Sequence, residues 1–368
     1  MSEHFNGKDY GDYFKSLEDR LSEGGAGKKT APKASNRKKR GIYKVISLKK
    51  AVLPLVVIAA VVITAAIAVP KIGSHRQATN TESGVRQSSG AQTAEATEPL
   101  ITYKTDSATA DIPDTNDCES AIVVNTETGR VVAQRDPHKR LYPASTTKIM
   151  TLLVACESIE NYVDTFTMTL EITDPLYVAG ASVAGFLRGE EITMTDLLYG
   201  LILPSGADAA LALAEKISGS EAEFVNLMNK KARELGLADT HFVNTSGLFD
   251  SNHYTSGYDM AVILETALKN PICKKILSTQ RYTTSPTPQH PEGIELSATL
   301  FDYMYGTEPE TATILGGKTG FVNESGYCIA SFGRSNETDN EYIIVTLKNS
   351  SRWPAFHGQI DLYKEFAK

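Results

Sequence analysis

The chain has 368 residues, 41% of them hydrophobic, and a formal net charge of −7, enough length and apolar content for one substantial core. The charge is divided, because residues 1–50 hold 13 Lys/Arg against 6 Asp/Glu (+7), which leaves −14 on residues 51–368. An acidic bulk of this kind argues against a nucleic-acid binder, whose partner presents phosphates and requires a positive face.

Residues 1–50 read as a polar, basic, disordered cytoplasmic tail, with ten basic and no acidic residues between Lys28 and Lys50. Ala51–Pro70 follows, twenty residues without a charge and almost wholly apolar, closed by Lys50 and Lys71. As a helix rising 1.5 Å per residue it spans a ~30 Å hydrocarbon core. The basic flank predicts a single-pass signal-anchor in the cell membrane, with the N-terminus cytoplasmic and the bulk of the chain outside. The competing reading is a cleavable signal peptide, for which Ala66-Ile-Ala68 supplies a small-x-small site. Residues 71–116 are rich in Ser, Thr, Ala, Gln and Glu and are expected to form an extracytoplasmic linker, too polar to fold alone.

From residue 117 the pattern changes. Ala121-Ile-Val-Val124 and Val131-Val-Ala133 flank Asn125-Thr-Glu-Thr-Gly-Arg130, a strand, turn and strand. A helical middle follows, with a capping box at Thr193-Met-Thr-Asp196 and an amphipathic helix from Glu221 to Leu235 that Gly236 is placed to end. Strands return after residue 312, at Tyr327–Phe332 and Tyr342–Leu347, before a closing helix near 355–367. Strands at both ends with helices between predict an α+β domain over 117–368, an antiparallel sheet packed against a helical cluster. Cys118, Cys156, Cys273 and Cys328 allow three pairings, and Cys156 fits the role of a small core residue. No close Cys or His pair has zinc-ligand spacing, so we expect no metal; His241 and His253 read as structural.

The residues that carry chemistry begin at Tyr142-Pro-Ala-Ser-Thr-Thr-Lys-Ile-Met-Thr151. Pro143 suits a helix start, and the apolar run beyond it predicts a buried helix. Ser145 and Lys148 then share one face, with a hydroxyl nucleophile and an amine one turn apart. Taken alone this pair is more often a cap and a surface lysine. Two further segments change the weight: Pro204-Ser-Gly-Ala-Asp-Ala-Ala210, ~60 residues on, and Gly316-Gly-Lys-Thr-Gly320, ~110 beyond that.

The order and spacing of these segments resemble the serine, Ser-x-Asn and Lys-Thr-Gly triplet of the penicillin-recognising enzymes. Ser120–Arg130, Asp196–Gly206, His241-Phe-Val-Asn-Thr-Ser-Gly-Leu248, Asn252-His-Tyr254 and Tyr258-Asp-Met-Ala261 narrow this to the low-molecular-mass serine-type D-alanyl-D-alanine carboxypeptidases, over about residues 117 to 350. The resemblance implies a β-lactamase/transpeptidase-like fold without a cofactor. It also implies trimming of the terminal D-alanine from peptidoglycan stem peptides, and covalent inhibition by β-lactams. By the same resemblance, Ser145 forms the acyl-enzyme and Lys148 is its base, with a pKa lowered by burial and by the charge of Lys318. Ser205 bridges the amines and passes a proton to the leaving group; its alternative role is to cap the helix at Asp208. On an edge strand, Lys318 and Thr319 bind the substrate carboxylate and Gly320 leaves room for the peptide. The N–H groups of Ser145 and Phe321 form the oxyanion hole.

One departure stands out: Ala207 occupies the position where the family usually has Asn. It lends weight to a second reading, a β-lactam-binding sensor or low-turnover wall-binding module. A third reading, a β-lactamase, lacks the Glu-x-x-Leu-Asn segment that class A enzymes use for deacylation.

Overall fold

The computed structural model describes residues 101–368 apart from 305, 307 and 308. The expected basic tail, the Ala51–Pro70 anchor and residues 71–100 of the linker lie outside the described residues. Among those described, no helix is long and apolar enough to cross a membrane.

The chain enters through a short strand, Ala110–Asp111 (β1), and a hairpin of Ser120–Asn125 (β2) and Arg130–Arg135 (β3). All six β2 side chains are buried, the signature of a β-branched strand covered on both faces. The turn is shaped by Asn125, whose Oδ1 accepts from Thr128 N at 3.1 Å, and by Gly129 at φ +64. Next come a buried helix, Lys148–Ser158 (α1), a small strand Thr165–Thr167 (β4) and a helix Leu170–Ala179 (α2). Glu191–Thr193 (β5) pairs with β4 and leads into Met194–Ile202 (α3). The Thr193 hydroxyl accepts from Asp196 N at 3.0 Å, the first half of the expected capping box, and donates to Asp196 Oδ2 at 2.7 Å, so the aspartate reaches back to the cap hydroxyl rather than to its backbone N–H.

Ala207–Ser218 (α4), Glu221–Glu234 (α5), Gly257–Lys269 (α6) and Pro271–Ser278 (α7) complete the helical layer. Helix α5 stops at Leu235 before Gly236 at φ +69, as its sequence predicts. A second small ladder, Arg281–Thr283 (β6) with Glu295–Ser297 (β7), precedes a one-and-a-half-turn helix, Thr299–Met304 (α8). Three long strands close the sheet, Ala312–Val322 (β8), Gly326–Ser335 (β9) and Glu341–Asn349 (β10), and Arg352–Phe366 (α9) ends the fold.

The six-stranded sheet has the order β1-β3-β2-β10-β9-β8. It is antiparallel from β3 to β8, as expected, but parallel at the β1–β3 edge. That edge also corrects the predicted linker boundary at 116. Ile101, Tyr103 and Ile112 are buried against the domain, and Tyr103 N donates to the Tyr258 hydroxyl at 3.1 Å. The alternation of the central strands divides the core. Ala121, Val123 and Ile344 pack with Phe356, Ile360 and Tyr363 of α9, while the intervening residues face α6, which packs on β2 and β10. Helix α1 is buried from Lys148 through Cys156 and touches α3, α4, α5, α6 and α7. A helix covered on all sides is an unfavourable place for an amine unless the amine has work to do.

Candidate active site

Pro143 opens a 3-10 turn, Ala144–Thr147, that runs directly into α1. Ala144 is buried at φ +47, a left-handed backbone that strains a residue with a β-carbon. The turn sets Ser145 at the cleft, while Lys148 is the first residue of α1 and only 2% exposed. Lys148 Nζ lies 3.1 Å from Ser145 Oγ and donates to Ser246 O at 2.7 Å. Burial pushes the Lys148 amine down to about 7, against the opposing pull of the Asp208 carboxylate.

Strand β8 is the sheet edge that faces this turn. Lys318 is equally buried and donates to Thr319 O at 2.8 Å. Burial holds its amine well below the usual lysine range, and the charge of Lys148 pushes the same way. The like-charge effect expected on Lys148 therefore falls on Lys318, and desolvation does most of the work on both. A β-carbon at Gly320 would point at Ser145 N and Pro143 O, so the glycine admits the nucleophile's own backbone, where the sequence suggested room for a peptide.

Ser205 lines the cleft with Ser145, at φ +66 and nearly buried. Among the described residues its hydroxyl has no hydrogen-bond partner, and the bridge expected between the amines is not among its contacts. Nor does Ser205 cap α4, whose N-cap is Gly206. Asp208, which the sequence reading left without a catalytic-site role, instead pins a wall. Its Oδ1 accepts from Ala184 N at 2.8 Å and Ala209 N at 2.9 Å, and its Oδ2 from Gly185 N at 3.1 Å. Ala207 N donates to Ser182 O at 2.8 Å, which brings the Ser182 side of that wall to the cleft.

Ser145, Ser182, Ser205 and Phe321 stand between two cavities, of about 230 and 430 Å³. The smaller is walled by Thr319, Gly320, Tyr303, Tyr327 and Arg352. Arg352, also missed in the sequence, has Cζ 4.6 Å from the Tyr303 ring centre and 5.9 Å from that of Tyr327. Its signal was slight, a basic residue at the first position of the closing helix. Among the described residues, Arg352 is the cation of this cavity.

His253 is buried and stays neutral, since burial lowers its pKa to about 4. Its Nδ1 accepts from Val243 N at 3.2 Å, which leaves Nε2 to donate to Thr147 Oγ1 at 2.8 Å; it braces the nucleophile turn from behind. His241 Nδ1 donates to Asn252 O at 2.7 Å. All four cysteines are free and buried.

Residues 105–351 match the D-alanyl-D-alanine carboxypeptidase family, and the match takes in every site residue above up to Phe321. The chain is 34% identical over 252 residues to D-alanyl-D-alanine carboxypeptidase DacF of Bacillus subtilis, covering 68% of this chain and 62% of that protein. It is 32% identical over 213 residues to a D-alanyl-D-alanine carboxypeptidase of Streptomyces sp. strain K15, covering 56% of this chain and 72% of that one. Among solved structures, the Streptomyces K15 DD-transpeptidase superposes with a TM-score of 0.62 at 28% identity, over 69% of this chain and 98% of that one. Penicillin binding protein 5 of Haemophilus influenzae superposes with a TM-score of 0.59 at 26% identity, over 69% and 71%.

Proposed function

The chain belongs to the D-alanyl-D-alanine carboxypeptidase family, and on that footing we propose that it removes the terminal D-alanine of peptidoglycan stem peptides through an acyl-enzyme on Ser145. The observation that carries the reading is the 3.1 Å approach of a buried amine with a pKa of about 7 to the Ser145 hydroxyl. An amine that is neutral near pH 7 is a competent general base, whereas an exposed lysine is not.

Lys148 takes the Ser145 proton as the oxygen attacks the carbonyl between the two D-alanines. The N–H groups of Ser145 and Phe321 hold the oxyanion. Ser205, which lines the cleft beside Ser145, passes the proton to the departing amine. Arg352 and Thr319 hold the carboxylate of the leaving D-alanine, and an anion arriving there raises the pKa of Lys318 so that it binds as a cation. Water then attacks the ester with Lys148 again as base.

Ala51–Pro70 anchors the domain in the cell membrane, with the basic tail inside and the catalytic domain outside. Support for this is the uncharged twenty-residue run and the ten basic residues before it.

The low-turnover reading keeps one specific support, the methyl group of Ala207 where an amide would orient substrate. Mass spectrometry of the full chain with penicillin and with a D-Ala-D-Ala peptide separates the readings. A carboxypeptidase gives a Ser145 adduct with penicillin and releases D-alanine, and Ser145→Ala does neither. An adduct without D-alanine release favours the sensor, and rapid hydrolysis of the penicillin favours a β-lactamase. An adduct on the Ser145→Ala chain removes the nucleophile assignment.

A further inference from the structure

The cleft carries one fixed charge toward each end. Among the described residues, Arg352 is the one charged residue lining the smaller cavity. Lys148 and Glu324 are those lining the larger, and Lys148 is engaged with Ser145 and Ser246. Glu324 is exposed, and among the described residues it has no ion-pair partner.

Its position is set by a rigid turn. Ser325 is fully buried, accepts from Val322 N at 3.1 Å and donates to Gly326 O at 2.7 Å. Gly326 at φ +60 leaves no room for a β-carbon, which would meet Asn349 O at 2.4 Å. The carboxylate thus stands at the tip of the β8–β9 hairpin, whose β8 edge carries Lys318, Thr319 and Gly320.

A peptide added to that edge in the antiparallel sense has a fixed register of chemistry. With its terminal carboxylate at Thr319 and Arg352, its scissile carbonyl falls beside Ser145. Each earlier residue then lies ~3.4 Å further toward the tip. The residue that precedes the two alanines comes opposite the tip. Leu248 and Phe249 line the same larger cavity with exposed apolar surface, suited to a methylene stem.

We propose that Glu324 is a specificity residue that pairs with a free side-chain ammonium on the residue preceding the two D-alanines. The proposal rests on the carboxypeptidase reading and adds a selection to it. Acylating that amine, as happens when a stem peptide is already cross-linked through it, removes the charge and the preference. The preferred substrate class is the stem peptide whose side-chain amine is still free.

The test uses the full chain and two peptides ending in D-Ala-D-Ala, identical except that the preceding side-chain amine is free in one and acetylated in the other. The wild-type chain should release D-alanine from the free-amine peptide with kcat/KM about two- to fivefold higher, the range of an exposed charge pair, expressed mainly in KM. Glu324→Gln should bring the ratio near one, and Glu324→Lys should invert it. A wild-type ratio of one, or a ratio that survives in Glu324→Gln, overturns the proposal and leaves the carboxypeptidase reading standing. No release from either peptide removes that reading and this proposal together.

Discussion

A side chain at Gly320 would place its first carbon 2.8 Å from the amide nitrogen of Ser145 and 3.0 Å from Pro143 O. The edge strand and the nucleophile turn, far apart in the chain, are therefore in backbone contact. This contact fixes the distance between the group that attacks and the strand along which substrate lies.

Gly320→Ala should force β8 away from the turn. Overpacking of this kind costs about 1–3 kcal/mol, with a melting temperature lower by ~2–4 °C per kcal/mol. Acylation by penicillin should fall about tenfold or more, since the N–H groups of Ser145 and Phe321, the proposed oxyanion donors, sit at the displaced contact. The rate of adduct formation, followed by mass spectrometry, checks this. An unchanged rate would mean that the cleft does not depend on the approach.

Acylation should follow the protonation of Lys148. The base acts only when neutral and its pKa is about 7, so the rate should be low below that pH, rise through it and level off above. Lys148→Arg keeps the cation but cannot lose its proton in this range, and should lower acylation at least about a hundredfold. A pH profile that is flat through neutrality, or a near-normal rate in the Arg variant, would assign the proton to another group.

The sequence revealed the segments that meet at the cleft better than what surrounds them. Ser145, Lys148, Ser205, Lys318 and Thr319 were legible because each sits in a short segment with its own order and spacing, and the fold brings the three segments to one cleft. Arg352 and Asp208 were not, because their roles come from tertiary contacts. Arg352 reaches the cleft only because α9 packs across the sheet, and Asp208 acts on amides some twenty residues earlier in the chain. Residues 101–116 read as linker because large apolar residues are few there, although Ile101, Tyr103 and Ile112 each find a core position. The parallel β1–β3 edge followed from the same blind spot.

Arg352→Gln removes the standing cation beside Thr319. Loss of a hydrogen bond to a charged group costs about 1.5–3 kcal/mol, so KM for a D-Ala-D-Ala peptide should rise by about ten- to a hundredfold. A peptide that ends in an amide lacks the carboxylate and should be turned over equally poorly by both chains. If the variant discriminates the two peptides as strongly as wild type does, Arg352 is not the carboxylate partner.

Ala207→Asn tests whether the pocket has been rebuilt around alanine. Ala207 is the first residue of α4, only 2% exposed, and its N–H is spent on Ser182 O at 2.8 Å. Next to it, Asp208 ties the 184–186 backbone into place. A longer side chain at 207 has two ways to go. It can enter the larger cavity beside Lys148, where it competes for the amine that must stay neutral and free. Or it can push the Ser182 wall outward against the hold of Asp208. Either outcome disturbs a fixed arrangement, and overpacking at buried positions costs about 1–3 kcal/mol. D-alanine release by Ala207→Asn should therefore fall, with a lower melting temperature if the wall moves and an unchanged one if the amine is captured. A release rate clearly above wild type would show that the cleft still has an empty place for the amide, and that the alanine lowers D-alanine release.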